Sequence, residues 1–196
     1  MPRLPRLLSA LAFAAVAHGA QAIPINYVAT LSGAAEAPPN ASAGTGSAHV
    51  VIDTDAHTYA IHFDFSGLTG TTTAAHIHGP TASPGTGTAG VMTTTPAFPG
   101  FVTGVSSGSY DQLFDMTVAS TFNPAFVTAQ GGLANAEAAF AAALASGSAY
   151  LNIHTTAVGL GEIRGFLTQI PEPASLGLLA IGALGLGRLR VRGMLI

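Results

Sequence analysis

An alternation of apolar and polar side chains runs through residues 58–65, Thr-Tyr-Ala-Ile-His-Phe-Asp-Phe. Tyr59, Ile61, Phe63 and Phe65 occupy every second position, and the residues between them are small, polar or charged. Successive side chains of a strand point to opposite faces of a sheet. This period of two therefore predicts a β-strand that buries one face and leaves the other in water.

The same alternation recurs in residues 47–53, 150–154 and 162–167, and segments rich in Gly, Pro, Ser and Thr separate these stretches. Short antiparallel strands that each bury one face are typical of a sandwich of two sheets. We therefore expect an all-β, antiparallel β-sandwich. Residues 80–108 are dense in Thr, Gly and Pro, which predicts long loops around one or two weak strands.

One Ala-rich stretch, residues 130–146, departs from this pattern. Leu133, Glu137, Phe140 and Leu144 follow one another at a spacing of three to four residues, and Gly147 comes just after the stretch. This is the helical period, followed by a helix stop signal. We expect a single short α-helix here, packed on the sandwich.

The chain has 196 residues, of which 48% are hydrophobic and only 8% charged. This length favours one domain with terminal signals over two full domains. There is no Cys, so disulfides, thiolate nucleophiles and Cys-type zinc sites are excluded. Residues 23–170 hold eight acidic residues and one Arg, a formal charge of −7, which argues against binding to nucleic acid.

The first 22 residues have the three parts of a secretory signal peptide. Arg3 and Arg6 are followed by a mostly apolar run over residues 7–16, and Ala20-Gln21-Ala22 is a cleavage site of the small-x-small type. Cleavage after Ala22 is predicted, which leaves Ile23 as the first residue of an exported protein.

The other end reads Pro171-Glu172-Pro173, then an uncharged run over residues 174–187, then three Arg at positions 188, 190 and 192. The uncharged run would form a hydrophobic helix of about 21 Å, short of the roughly 30 Å of a bilayer core. Arg residues just after it obey the positive-inside rule, so the body would stay outside the cytoplasm.

This tail resembles the PEP-CTERM sorting signal of Gram-negative bacteria. The resemblance implies recognition by an exosortase, transient membrane anchoring, removal of the tail and delivery to the cell envelope or an extracellular matrix. We accordingly divide the chain into a signal peptide at residues 1–22, a body at residues 23–169 and a sorting segment at residues 170–196.

His76, His78, His154 and Glu162 form a candidate metal site. His76 and His78 flank Ile77, and residues i and i+2 of a strand point to the same side about 6.6 Å apart. His154 ends another predicted strand, and Glu162 begins the next. Three imidazoles and a carboxylate suit zinc or copper, because borderline metals prefer nitrogen ligands.

The alternative is that these side chains make ordinary hydrogen bonds on a polar sheet face, with an ion pair between Glu162 and Arg164. His57 should not belong to the site, because by alternation it falls on the Tyr59 side of its strand. Metal binding should weaken as the pH falls through about 6.5, the ordinary pKa of an imidazole.

Four motifs stand out, and the last three contain the candidate site residues: LSGAAEAPP at 31–39, AHIHGP at 75–80, YLNIHT at 150–155 and GEIRG at 161–165. In order and spacing they resemble the CHRD domain, named from chordin, over about residues 27–169. The resemblance implies an immunoglobulin-like module of extracellular proteins with no established catalytic activity.

Two functions from different classes follow. The first is a non-enzymatic envelope module that binds a metal, an extracellular polymer or an envelope protein. The second is a metal-dependent redox enzyme, because the histidines at 76, 78 and 154 also resemble the copper site of Cu/Zn superoxide dismutases. A serine hydrolase is disfavoured. The residues around Ser106 match G-x-S-x-G, but no helical pattern follows them.

Overall fold

The computed structural model describes residues 23–171. The predicted signal peptide and the predicted hydrophobic helix of the sorting segment lie outside the described residues. Within the described part, no helix is both long enough and apolar enough to cross a membrane. The described part contains eight strands: β1 Ile25–Ser32, β2 Thr45–Asp53, β3 Thr58–Ser66, β4 Thr72–His78, β5 Gly108–Asp115, β6 Tyr150–Thr155, β7 Ile163–Phe166 and β8 Thr168–Gln169.

The strands form one antiparallel sheet in the order β4-β6-β7-β1-β2-β3-β5, with β8 paired to β1. The sheet curls into a half-barrel around one core, which confirms the all-β antiparallel prediction. Strand β3, predicted from the alternation at residues 58–65, is central to one half of the sheet. It pairs along its whole length with β2 and over eight residues with β5.

The apolar residues of β3 face this core, as the period of two predicts. Tyr59, Ile61 and Phe63 are all buried. The Tyr59 ring stacks on Phe114 of β5 with centroids 4.7 Å apart, and it also contacts Phe140 at 5.0 Å. Burying a side chain of this size contributes on the order of 2 kcal/mol, so the aromatic row of β3 is a main stabilising element.

Phe140 belongs to α2, Leu133–Ala145, the helix predicted from the Ala-rich stretch. A further short helix, α1 Pro124–Ala129, was not predicted. Its signal lies in the sequence. Asn123 caps the helix by accepting a hydrogen bond from the Ala125 N–H, and Pro124 stands at the first helical position.

The sheet face opposite the core, called the outer face here, carries the histidines of the predicted site. Residues paired in register across antiparallel strands share a face. His76 pairs with Asn152, Asn152 pairs with Arg164, and Arg164 pairs with Ser32. The outer face is thus a continuous polar surface that runs from β4 to β1 and onward.

A long segment, residues 79–96, called the strap here, covers the outer face at the β4-β6-β7 end. Backbone N–H groups of Thr81 and Gly85 donate to carbonyl oxygens of Ser148 and Gly147, which ties the strap down beside β6. Within residues 80–107 the structure has isolated bridges but no extended strand, in agreement with the predicted loops.

This cover corrects one expectation. The polar faces of the strands at residues 150–154 and 162–167 were predicted to be exposed, but Asn152 and Arg164 are buried. Buried polar groups need partners, so the polar side chains at the covered end of the sheet must be bonded to one another, to the strap or to a ligand.

Candidate metal centre

Two paired strands bring three histidines together under the strap. His76 and His78 project from the same side of β4, and His154 projects from β6. Ring centroids are separated by 5.7 Å for His76 and His78, 5.2 Å for His76 and His154, and 5.6 Å for His78 and His154. One ligand atom from each ring lies within 4.8 Å of the other two. We call these three residues the histidine cluster.

Each ring of the cluster is held by a backbone carbonyl. The Nε2 atom of His76 lies 2.7 Å from the Pro96 oxygen, and Nδ1 of His78 lies 2.9 Å from the Ala89 oxygen. Nδ1 of His154 lies 3.0 Å from the Gly159 oxygen. A carbonyl oxygen only accepts hydrogen bonds, so each of these ring nitrogens must be the N–H donor.

The second nitrogen of each ring is therefore the one with a free lone pair when the ring is neutral. These nitrogens are Nδ1 of His76, Nε2 of His78 and Nε2 of His154, and all three are buried without a hydrogen-bond partner among the described residues. Such atoms are uncommon in native structures. Three in one cluster indicate a site for a ligand that accepts lone pairs.

The rings are in the protonation state that a metal needs. Burial lowers the pKa of His76 and of His78 to about 4, despite the opposing effect of the carbonyl hydrogen bonds. Burial also lowers the pKa of His154. At neutral pH the cluster is therefore three neutral imidazoles, the form that ligates metal ions.

The spacing of the cluster fits a single ion. A metal–nitrogen bond is about 2.0–2.1 Å, so three nitrogens up to 4.8 Å apart would each move inward by less than about 1 Å to bind one ion. A shift of this size is within the reach of small side-chain rotations.

Glu162, the predicted fourth ligand, does not join the histidine cluster. It is buried and accepts four hydrogen bonds, two from the hydroxyls of Ser42 and Thr155 at 2.5 and 2.6 Å, and two from the N–H groups of Thr69 and Gly70. Burial acts to raise the pKa of Glu162, but the four hydrogen bonds lower it to about 2. Its lone pairs are already used for structure.

The reason is its position in the strand. Glu162 comes one residue before β7, where the ladder with β6 ends. Its partner Thr155 adjoins His154 in β6, and adjacent side chains of a strand point to opposite faces. The carboxylate thus turns away from the rings. The structure therefore places Glu162 outside the predicted metal site, and backbone carbonyls hold all three rings.

Comparison with known families agrees with the motifs around these residues. A family model for the CHRD domain matches residues 27–167. The chain belongs to the CHRD domain family. A PEP-CTERM protein-sorting motif matches residues 169–192, which supports export and association with the cell envelope through exosortase sorting. Comparison with curated proteins and with solved structures gives no match.

The CHRD domain also buries a contact between an arginine and a carboxyl group that the sequence reasoning missed. Arg164 lies 3.7 Å from Glu36, not beside Glu162, and the two side chains are 4% and 6% exposed. The guanidinium donates to the carbonyl oxygens of Ala35 and Gly87 and lies 4.8 Å from the centre of the Tyr150 ring. The signal that could have pointed to Glu36 is its place in the first CHRD motif, at residues 31–39.

The remaining histidines of the CHRD domain lie elsewhere. His57 stands in the turn before β3 with a φ of 54°, so it does not continue the alternation of that strand as expected. It is half exposed, and its Nδ1 lies 2.7 Å from Glu137 of α2. His49 and His62 lie on the uncovered part of the outer face, where His62 contacts two exposed carboxylates.

Proposed function

We propose that this CHRD domain is a non-enzymatic module that binds one transition-metal ion outside the cytoplasm through His76, His78 and His154. A single observation carries the proposal. The three rings leave their free nitrogens buried, unpartnered and close together, while carbonyl oxygens hold the opposite nitrogens. Metal-bound histidines usually have this second hydrogen bond, because it fixes the tautomer and the direction of the ring.

Zinc and copper are the ions that suit this donor set. Imidazole nitrogen is a borderline ligand that both metals accept, whereas magnesium and calcium prefer oxygen. With Glu162 committed to four other donors, three neutral rings would hold the ion and leave at least one coordination position for water or a small ligand.

Burial favours storage or structural binding of the metal over turnover. His76 and His78 are only 6% and 8% exposed, because the strap lies over them. A redox enzyme of the superoxide dismutase type needs a coordination position that its substrate reaches readily. We therefore expect the copper-loaded protein to dismutate superoxide no faster than a reference protein that holds the same concentration of copper at a non-catalytic site.

Calorimetric titration of the full-length protein in detergent with zinc, and separately with copper, tests the proposal. The wild type should bind one ion, and His76→Ala or His154→Ala should lose most of the affinity. His49→Ala and His57→Ala are the matched controls, because their imidazoles are not in the cluster, and both should bind like the wild type.

Equal and weak binding by the wild type, the cluster variants and the controls would contradict the metal site. Tight binding by every variant would contradict it as well, since the ion would then bind elsewhere. Circular dichroism of each variant shows whether the fold is retained.

A further inference from the structure

A second buried polar group lies beside the histidine cluster on the same face. Asn152 of β6 pairs in register with His76 on one side and with Arg164 on the other. Arg164 in turn faces Glu36 at 3.7 Å. Glu36 follows the single-turn 3-10 helix Gly33–Ala35. Arg164 is two strand spacings, roughly 10 Å, from His76 across the sheet, and the carboxyl group of Glu36 lies beside Arg164 and Asn152 on that side of the cluster.

Two oxygen atoms in this group are buried without a hydrogen-bond partner among the described residues: Oε1 of Glu36 and Oδ1 of Asn152. They lie around one point, since a Cβ added to Gly161 would come within 2.4 Å of both amide atoms of Asn152 and within 2.7 Å of the Glu36 oxygen. Nδ2 of Asn152 is directed at the Leu160 carbonyl at 3.5 Å, which assigns Oδ1 as the free end of the amide.

Two neighbouring acceptors without a donor are costly to bury. A proton on Glu36 converts its oxygen into a donor, directly or through one water, and satisfies both atoms. The charges around the carboxyl group do not remove this need. Burial raises the pKa of Glu36 to about 7 even though Arg164 and the Ala37 N–H act to lower it.

The groups that face Glu36 are known from each neighbouring element. Arg164 of β7 supplies the opposite charge, but its Nε and Nη1 atoms donate to the backbone oxygens of Ala35 and Gly87. β6 supplies the neutral amide of Asn152. Glu162, next to Gly161, directs its carboxylate to the opposite face. The carboxyl group is therefore paired with one cation whose donors are largely committed elsewhere.

We infer that Glu36 holds a proton that is released when a metal ion binds to the histidine cluster, so that metal uptake by this domain is coupled to proton release. The inference rests on the proposed metal site. A dication bound on the same sheet face, two strands from Arg164, favours the ionised carboxylate over the neutral acid. The histidines add little to this release at pH 7, because they are already neutral. The proton passes to the buffer.

Titration with zinc at pH 7 in several buffers of different ionisation enthalpy measures the protons released per ion. The full-length wild type should release more protons per zinc than Glu36→Gln, and this excess should grow as the pH is lowered from 7 toward 6. Glu137→Gln is the matched control and should match the wild type. A zinc-bound water that ionises releases its proton in all three proteins, so only the difference between them is used.

Equal release from the wild type and Glu36→Gln, with zinc still bound, would overturn the coupling and leave the metal site intact. Failure of the wild type to bind zinc would instead contradict the proposed function. If Glu36→Gln does not fold, infrared difference spectra of the wild type decide. The carbonyl band of a neutral carboxylic acid should be present at pH 6.5 and should disappear when zinc is added. Its absence before zinc, or its persistence afterwards, would overturn the inference.

Discussion

The Nδ1–H group of His78 donates to the carbonyl oxygen of Ala89 at 2.9 Å. The N–H of Ala89 donates to the Tyr150 hydroxyl at 3.2 Å, and the Tyr150 ring stacks on His78 with centroids 5.1 Å apart. One residue of the strap therefore holds both a ring of the histidine cluster and the aromatic side chain packed against it. Because Ala89 acts through its backbone, the conformation of the strap orients the cluster.

Gly161→Ala should destabilise the domain. Gly161 has a φ of 132°, and an added Cβ would come within 2.4 Å of the Asn152 side chain. Strain of this kind costs on the order of 1–3 kcal/mol, and urea unfolding followed by circular dichroism measures it. Gly159→Ala, where an added Cβ meets nothing within 4 Å, is the control. Equal stability of the two variants would contradict the close packing at Gly161.

Glu162 should make the stability of the domain depend on pH in the acid range. Its pKa is about 2 in the folded state, below the ordinary value of 4.5, so its stabilising effect is present above pH 4.5 and is lost as the pH falls toward 2. With allowance for solvent screening, the expected loss is on the order of 1–3 kcal/mol. Urea unfolding between pH 5 and pH 2 should show this loss in the wild type.

Glu162→Gln should remove that part of the pH dependence and lower the free energy of unfolding at pH 7. Glu137→Gln serves as the comparison, because Glu137 pairs with a half-exposed histidine far from these donors in the chain. Parallel pH curves for the wild type and Glu162→Gln would show that the four hydrogen bonds do not hold an ionised carboxylate.

The histidines should keep zinc bound to a lower pH than ordinary imidazoles would. Burial lowers the pKa of His76 and of His78 to about 4 and also lowers the pKa of His154, so protonation should compete with the metal at a lower pH than the 6.5 that the sequence alone suggested. Glu36→Gln isolates this effect. Its zinc affinity should show no decline at pH 6.5 and should fall steeply below about 4, as measured by competition with a chelator. A decline that begins near pH 6.5 in this variant would contradict the lowered pKa values.

The two ends of the chain should direct export and membrane retention. N-terminal sequencing of the exported protein should find Ile23 first, because Ala20-Gln21-Ala22 is a cleavage site of the signal-peptide type.

Deletion of residues 174–196 should abolish membrane association without loss of the β-rich circular dichroism spectrum, because the strands end at Gln169. Unchanged membrane association after the deletion would contradict the sorting role of the tail.

Local patterns were enough for β2, β3, β6 and β7, for α2 and for half of the site, whereas β1 and β5 were not predicted. The alternation of Tyr59, Ile61 and Phe63 reports which face is buried, because backbone geometry alone sets the period of two. The same geometry places His76 and His78 on one side of β4. The short helix α1 was missed although its cap, Asn123 before Pro124, was visible.

The environment of the histidines required the folded chain. Nothing near His78 in the sequence shows that Ala89 will hold its ring, or that the strap will bury the polar face of β6. The direction of Glu162 depends on where the ladder of β7 begins, and the pairing of Arg164 with Glu36 joins residues 128 positions apart. Periodicity follows from neighbouring peptide units. Burial, tautomer and pKa instead follow from contacts between distant segments, and these contacts exist only after the sheet has formed.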